Sequence, residues 1–349
     1  MKRGFDILRL VRKNILELQP YASARDEFSG SASVFLDANE NPYNTPLNRY
    51  PDPGQVELKR TLAGLRDQAP ESLFLGNGSD EGIDLLYRVL CEPGQDNVIT
   101  VDPTYGMYGV CAQINDVERR SVLLSEDYSL DADRVLKAMD RHTKMIFLCS
   151  PNNPTANSFE KEAILNILDQ ADCLVVVDEA YIDFSRDGGV LPLLAEKPNL
   201  AVLQTLSKAW GLAGIRLGML FAQPALVRML SGVKYPYNVN ALTLKEAQAA
   251  LKDPAQAEHW VSMILEEREL LAARLKDMEQ VLEVKPSDAN FLLVKVKDPG
   301  ALHHFLMDRG IIVRDRSSVP LCEGCLRITV GTPEENRLLV DTLRTYRSS

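Results

Sequence analysis

From about residue 97 the sequence alternates short apolar runs with helical patterns, and this alternation constrains the fold more than any other feature. The apolar runs are 97–101, 121–124, 145–150, 173–178, 200–205 and 217–222. Stretches such as 131–141 and 160–170 lie between them, and there apolar residues recur every three to four positions. Strands that alternate with helices form mostly parallel sheets with helices on both faces. We therefore predict an α/β fold with a mostly parallel central sheet.

The pattern changes near residues 234–240, and we place a domain boundary there. Further on, the sequence predicts a long charged helix over about 255–280, a strand at 291–296, a helix at 299–309, strands near 311–314 and 326–330, and a final helix from Pro333. At the other end, helical spacing predicts an amphipathic helix from these residues: Ile7, Leu8, Val11, Ile15 and Leu18. We divide the chain into an N-terminal arm (1–30), a large domain (31–240) and a smaller α+β domain (241–349).

Charge and cysteine content exclude several classes of protein. The formal net charge of −10 argues against a surface for nucleic acid or for an anionic membrane. No apolar run approaches the roughly 18 residues that span a membrane. Cys322 and Cys325 form a CxxC pair, but one such pair in a chain with four histidines makes a poor zinc site. Basic residues interrupt any secretory signal, so we expect a cytoplasmic protein without a metal.

Asp178 ends the apolar run 173–178. A carboxylate at the carboxyl end of a buried parallel strand lies where open α/β sheets bind ligands. The acidic strand of a P-loop ATPase is one interpretation, but that class needs a Gly-Lys pair, and the chain has none. The alternative is an aspartate that only caps the following turn.

Glycines lead a predicted strand into a helix over residues 73–82. They let the backbone approach a ligand, and the free N–H groups at the helix start favour an anion. The G-x-G-x-x-x-G spacing of Gly76, Gly78 and Gly82 differs from the dinucleotide-binding pattern. Ser79 or Asp80 could instead be a simple helix cap.

Lys208 follows the predicted strand 200–205, and Arg216 lies eight residues further on. A lysine that is desolvated at the edge of a sheet has a lowered pKa and can form a Schiff base with a carbonyl group. Asn152 and Asn153 follow the strand 145–150, between two prolines. They offer amide groups at the same edge, although an Asx turn would explain them equally well.

Together, these four motifs follow the ends of predicted strands and suit one cofactor, pyridoxal 5′-phosphate. The glycine-rich loop would hold its phosphate, and Lys208 would bind its aldehyde and shuttle a proton. Asp178 would keep the pyridine nitrogen protonated, so that the ring can accept electrons from the reacting carbon.

These residues resemble the fold-type I aminotransferases, and further segments resemble the histidinol-phosphate aminotransferase family within class II. The segments are QPYASAR (19–25), LDANENP (36–42), RYPD (49–52), PTYGMY (103–108), VRD (313–315) and CLRITVGT (325–332). One position departs from the family, which usually has glycine where this chain has Ala156. A methyl group is tolerated there unless the residue has a positive φ, in which case the loop that carries Asn153 would shift.

The resemblance implies a role for each matching residue in this chain. Lys208 would bind the cofactor covalently, and Asp178 would pair with its ring nitrogen. Asn153 and Tyr181 would hydrogen-bond its phenolic oxygen, with Tyr181 counted among the catalytic residues, and Tyr105 would stack on its ring. The phosphate would be held by Ser79, Asp80, Ser207 and Arg216.

The resemblance also implies a homodimer, because Tyr50 would reach the phosphate of the second subunit's cofactor. The substrate pocket would be lined by Tyr21, Asn39, Arg314 and Arg327. An arginine matches phosphate and carboxylate groups alike, so one site could serve both substrates.

The implied reaction is the transamination of L-histidinol phosphate with 2-oxoglutarate, which gives imidazole acetol phosphate and glutamate in histidine biosynthesis. A threonine-phosphate decarboxylase or an aromatic aminotransferase would use the same fold, and these alternatives stay open at this point. A non-catalytic regulatory module that binds the cofactor is the alternative of another class. Such modules normally carry a DNA-binding helix-turn-helix extension, which we do not find.

Overall fold

A computed structural model describes residues 5–21 and 32–347. Its larger sheet has seven strands: β1 (Leu73–Asn77), β2 (Asn97–Asp102), β3 (Glu118–Leu123), β4 (Thr143–Cys149), β5 (Leu174–Asp178), β6 (Leu200–Thr205) and β7 (Leu217–Phe221). Their spatial order is β1-β7-β6-β5-β4-β2-β3. The strands β2 to β6 pair in parallel, whereas β7 is antiparallel to both of its neighbours. The prediction of a mostly parallel sheet is confirmed.

Helices cover both faces of this sheet: α2 (Val56–Leu65), α3 (Ser79–Leu90), α4 (Met107–Ile114), α5 (Ala132–Lys137), α6 (Lys161–Gln170), α7 (Pro224–Val233) and α8 (Ala241–Ala250). Alternate residues of a strand point to opposite faces. Accordingly, Val175 and Val177 of β5 belong to one hydrophobic cluster, and Leu174 and Val176 belong to the other. A continuous apolar run is therefore what a strand buried on both faces requires.

The N-terminal segment differs from the amphipathic helix that the sequence predicts. It forms a 3₁₀ turn over Ile7–Leu10 and a single-turn helix, α1 (Lys13–Leu16). The backbone is extended at Val11 and Arg12, and the Arg12 N–H donates to the carbonyl of Val89, 2.9 Å away, near the end of α3. This tertiary hydrogen bond takes the place of one that would continue the helix. Residues 1–4 and 22–30 of the predicted arm lie outside the described residues.

The smaller sheet has four antiparallel strands in the order β10-β11-β9-β8: β8 (Val281–Val284), β9 (Phe291–Val296), β10 (Arg314–Asp315) and β11 (Cys325–Thr329). One face packs against α9 (Pro254–Lys276), α10 (Pro299–Met307) and α11 (Pro333–Arg344) through Leu292, Val294, Leu326 and Ile328. The other face carries Leu293 and Cys325, which belong to a core cluster of the larger sheet. The exact division into domains stays a prediction. No helix in the described part of the chain could cross a membrane.

Candidate active site

One edge of the larger sheet carries the motifs that the sequence analysis singles out. Since β7 is antiparallel to both β1 and β6, the strand β1 runs in the same direction as the parallel strands. The carboxyl ends of β1, β6, β5, β4 and β2 therefore meet at this edge. There a cavity of about 100 Å³ is lined by Gly78, Ser79, Asp80, Tyr105, Cys149, Asn153, Asp178, Ala180, Tyr181, Thr205, Ser207, Lys208 and Arg216. Every predicted cofactor-binding residue except Tyr50 is in this set.

Lys208 lies in the turn that follows β6. The hydroxyl of Thr205 accepts the N–H of Ser207 at 3.1 Å, which holds this turn at the end of the strand. The Lys208 ammonium lies 5.6 Å from the centre of the Tyr181 ring. Burial, and then the positive charge of Arg327, lower the pKa of this amine. The amine is therefore easier to deprotonate than a surface lysine, which suits a nucleophile.

Asp178 ends β5 beneath the cavity and is only 3% exposed. Its Oδ2 accepts the hydroxyl of Tyr108 at 2.7 Å, and its Oδ1 accepts the N–H of Ala180 at 3.0 Å. Burial raises the pKa of the carboxyl group, since the charged form loses its hydration. A cation in the cavity would stabilise the charged form of this carboxylate.

Tyr108 is a residue that the sequence analysis quotes within a motif without giving it a role. It is fully buried in α4, and its ring stacks on Phe147 at a centroid distance of 4.7 Å. This packing fixes the hydroxyl that donates to Asp178. No local pattern indicated this role, because Asp178 lies 70 positions further along the chain.

The start of α3 forms a cradle of backbone N–H groups beside Arg216. Gly78 has a φ of +80°, and a side chain there would meet the Arg216 guanidinium at 2.7 Å. The N–H of Gly78 donates to the carbonyl of Arg216 at 2.8 Å, which joins the cradle to the start of β7. A side chain at Gly218 would collide with the backbone of Ser79. Helix N–H groups together with a guanidinium make a site for a phosphate.

Tyr105 follows β2 and closes another side of the cavity. Its hydroxyl donates to Asp80 Oδ1 at 3.0 Å, and its ring meets that of Tyr108 edge to face, with centroids 5.6 Å apart. Asp80 also lies 3.7 Å from the Arg216 guanidinium. One carboxylate therefore positions both the tyrosine ring and the cationic side of the cradle.

The two asparagines after β4 differ in their contacts. Asn152 is fully buried and binds the neighbouring loop, accepting the Thr104 hydroxyl at 3.0 Å and donating to the Pro103 carbonyl at 2.8 Å. Asn153 lines the cavity, and its Oδ1 accepts Nη1 of Arg327 at 2.5 Å. Asn152 therefore shapes the loop, and Asn153 faces the site.

Ala156 has a φ of +69°. From the sequence, a methyl group is expected to be tolerated at this position only if φ is not positive, and this condition is not met. Two backbone hydrogen bonds hold the residue, from its N–H to the carbonyl of Asn152 at 2.8 Å and from the N–H of Asp288 to its carbonyl at 2.7 Å. Asn153 lines the cavity in this arrangement. The loop thus carries a left-handed alanine rather than the family's glycine.

Arg327 brings the smaller sheet to the cavity. It lies on β11 opposite Arg314 of β10, and its guanidinium lies 5.3 Å from the centre of the Phe291 ring. Burial lowers the pKa of Arg327. Arg327 is half-buried beside Asn153, whereas Arg314 is exposed, and neither is among the residues that line the cavity.

Three other predicted residues lie away from this cavity. Tyr50 and Asn39 border a second, open cleft, where the Tyr50 ring stacks on Tyr237 at a centroid distance of 4.4 Å. Tyr21 is 77% exposed, and the four residues that complete its motif, 22–25, lie outside the described residues. The geometry of one chain therefore does not bring Tyr50, Asn39 or Tyr21 to Lys208.

Comparison with known proteins places the chain in a family. The family model described as "Aminotransferase class I and II" matches residues 30–343. The chain belongs to the class I and II aminotransferases. A histidinol-phosphate aminotransferase of Parabacteroides distasonis is 54% identical over 98% of this chain and 99% of its own length. One of Bacteroides fragilis is 52% identical over 97% of this chain and 98% of its own. The resemblance inferred from the sequence is confirmed.

Solved structures of other aminotransferases have the same fold. The histidinol-phosphate aminotransferase of Clostridium acetobutylicum superposes with a TM-score of 0.79 at 21% identity, covering 85% of this chain and 90% of that one. That of Sinorhizobium meliloti, in complex with pyridoxal-5′-phosphate, superposes with a TM-score of 0.78 at 25% identity, covering 85% and 83%. The predicted fold class is therefore confirmed as well.

Proposed function

We propose that this aminotransferase transfers the amino group of L-histidinol phosphate to 2-oxoglutarate, giving imidazole acetol phosphate and glutamate. The observation that carries the proposal is the single cavity in which Lys208, Asp178, Tyr181 and Asn153 converge beside an anion cradle. The names of relatives at 52–54% identity over nearly the whole chain support the choice of substrate.

Pyridoxal 5′-phosphate is the cofactor that this donor set fits. The cradle of Gly78, Ser79 and Arg216 offers a phosphate site that a side chain at Gly78 would obstruct. Asp178 is a buried carboxylate that a ring cation would stabilise. When bound, the cofactor supplies a carbonyl carbon for the substrate amine and a ring that withdraws electrons from the carbon that loses a proton.

The residues of the chain would then act in distinct ways. The lowered pKa of Lys208 favours the neutral amine, so its Nζ can accept a proton from the substrate carbon and return it to a neighbouring atom. Tyr181 and Asn153 both line the cavity and would orient the cofactor through hydrogen bonds. Tyr105 would stack on its ring, and Ser79, Asp80 and Ser207 would complete the phosphate site.

Arg327 would bind the anionic group of either substrate, together with Arg314. A guanidinium donates two parallel hydrogen bonds to a carboxylate or a phosphate. Because Arg327 already contacts Asn153, the bound anion would be held next to the loop that orients the cofactor. We propose Asn39 and Tyr21 as further substrate contacts.

The active enzyme is proposed to be a cytoplasmic homodimer in which Tyr50 of one subunit reaches the phosphate site of the other. Tyr50 is 52% exposed and lies away from its own cavity, which leaves its hydroxyl available to a second chain. All six cysteines are free and buried, as in proteins of reducing compartments. Sedimentation of the holoenzyme tests the dimer, and mixing of inactive Lys208→Ala and Tyr50→Ala chains should restore partial activity.

The proposed reaction is tested by coupled assay of glutamate formation from histidinol phosphate and 2-oxoglutarate. Lys208→Ala should lower kcat by roughly 10³-fold or more, since it removes the group that moves the proton. Lys161→Ala, at an exposed position of α6, is the matched control and should retain full activity. Release of carbon dioxide from threonine phosphate, without amino transfer from histidinol phosphate, would contradict the proposal.

A further inference from the structure

One face of the smaller sheet carries three arginines. Arg314 of β10 pairs with Arg327 of β11, and the Arg316 N–H donates to the carbonyl of Cys325 at 2.9 Å, which continues the pairing by one residue beyond Asp315. Since side chains alternate along a strand, Arg314, Arg316 and Arg327 share one face. Cys325 and Leu293 on that face pack in the core of the larger sheet, so the arginines lie on the face of the smaller sheet that is turned toward the larger one.

Arg316 is the member of this cluster to which neither the sequence nor the family resemblance gives a role. Its Nε is buried and has no hydrogen-bond partner among residues 5–21 and 32–347. The neighbouring carboxylate, Asp315, accepts both the N–H and the hydroxyl of Ser317, at 2.8 Å and 2.6 Å. Burial, and then the charge of Arg314, lower the pKa of Arg316. The charge of Asp315 acts on Arg316, but among the described residues nothing accepts a hydrogen bond from its Nε.

Arg316 shares its face of the smaller sheet with Arg327, which contacts Asn153 of the cavity. The charge of Arg316 acts on the hydroxyl of Tyr181, a residue that lines the cavity. Within the cluster, Arg327 is the arginine whose charge contributes to the lowered pKa of Lys208. Arg327 contacts Asn153 at the cavity, Arg314 lies opposite Arg327 on β10, and Arg316 follows two residues after Arg314.

We propose that Arg316 binds the phosphate group of the phosphorylated amino donor, and so makes the site selective for phosphorylated substrates. The inference rests on the proposed function and deepens it. A phosphate dianion has three terminal oxygens and accepts from more than one guanidinium, whereas a single arginine satisfies a carboxylate. In histidinol phosphate the phosphate is joined to the amine-bearing carbon through one CH2 group and one oxygen, so it extends further from that carbon than the α-carboxylate of glutamate does. Arg316 adds a guanidinium beside Arg327 for this longer anionic group. In a chain of net charge −10, such a local cluster of cations is what holds the anion.

The test compares histidinol phosphate with histidinol, which lacks the phosphate, as amino donors for the wild-type holoenzyme and for Arg316→Gln. We expect Arg316→Gln to raise KM for histidinol phosphate by roughly 10- to 100-fold, the range for losing a charge-assisted hydrogen bond. Its kcat/KM for histidinol should equal that of the wild type. Inorganic phosphate, as a competitive inhibitor, should bind the variant more weakly by a similar factor. Arg316→Lys should recover part of the affinity.

Arg337→Gln is the matched control, because it removes one positive charge from an exposed position of α11. It should leave both donors unaffected. If Arg316→Gln lowers kcat/KM equally for histidinol and histidinol phosphate, or for neither, the assignment of Arg316 is overturned. If the wild type does not transaminate histidinol phosphate at all, the proposed function itself fails. The two failures are therefore distinguishable.

Discussion

At the end of β5, two carboxyl groups that are neighbours in the sequence lie on opposite sides of the larger sheet and have different surroundings. Asp178 and Glu179 are 3% and 2% exposed, and burial raises the pKa of both. Asp178 lines the cavity and is held by one hydroxyl and one backbone N–H. Glu179 faces away from it, where its oxygens accept the Val190 N–H at 2.5 Å and the Gln204 side-chain amide at 2.9 Å.

This difference shows that a buried carboxyl group with a raised pKa does not by itself mark an active site. Glu179 joins the end of β5 to β6 and to the loop around Val190, so its hydrogen bonds have a structural role. Asp178 adjoins open space beside Lys208 and can still meet a ligand. Contact with the cavity beside Lys208, rather than a raised pKa, distinguishes the functional carboxyl group of Asp178 from the structural one of Glu179.

The largest expected effect concerns Asp178→Asn. We expect kcat/KM to fall by about 10²- to 10³-fold, the range for losing a preorganised electrostatic group. The raised pKa means that the buried charge opposes folding at neutral pH, so removing it should not lower the stability of the cofactor-free protein. Steady-state assays and urea unfolding measure the two effects.

Glu179→Gln is the control for Asp178→Asn, since it changes the neighbouring carboxyl group in the same way. Its kcat/KM should stay within about threefold of the wild type. A loss as large as that of Asp178→Asn would remove the distinction between the two sides of the sheet.

The second prediction concerns the pH dependence of stability. The pKa of Glu179 is raised from 4.5 to about 7, so the folded state holds its proton more tightly than the unfolded state. Relative to Glu179→Gln, the wild type should therefore lose stability as the pH rises from about 4.5 to about 7, by roughly 3 kcal/mol. Urea unfolding at several pH values measures this difference, and parallel profiles for the two proteins would disprove it.

The smallest expected effect concerns Ala156, in the loop beside the cavity. Its φ of +69° is costly for a residue with a side chain, so Ala156→Gly should stabilise the protein by about 1 kcal/mol. Ala163→Gly, inside α6, should instead destabilise it by about 1 kcal/mol. Urea unfolding measures both. Destabilisation by Ala156→Gly would show that packing of the methyl group stabilises the protein by more than the positive φ of the alanine destabilises it.

Much of the pocket could be predicted because its residues follow strands that are recognisable in the sequence. Asp178 ends an apolar run, Lys208 and Asn153 each lie three residues after one, and parallel strands end at one edge of a sheet. The residues that escaped prediction depend on contacts between distant segments. Tyr108 donates to a carboxylate 70 positions away, and the Arg12 backbone bonds to Val89 instead of continuing a helix.

The sequence alone determined the sheet, its ligand-binding edge and the chemical groups found there, because hydrophobic periodicity and turn residues act over a few positions. Only the tertiary structure decided that Arg327 reaches Asn153, that Arg314 pairs with Arg327, and that Asp178, unlike Glu179, adjoins the cavity beside Lys208. These outcomes depend on how two sheets pack against each other. Packing is set by the shapes and charges of segments far apart in the chain, and no local pattern contains that information.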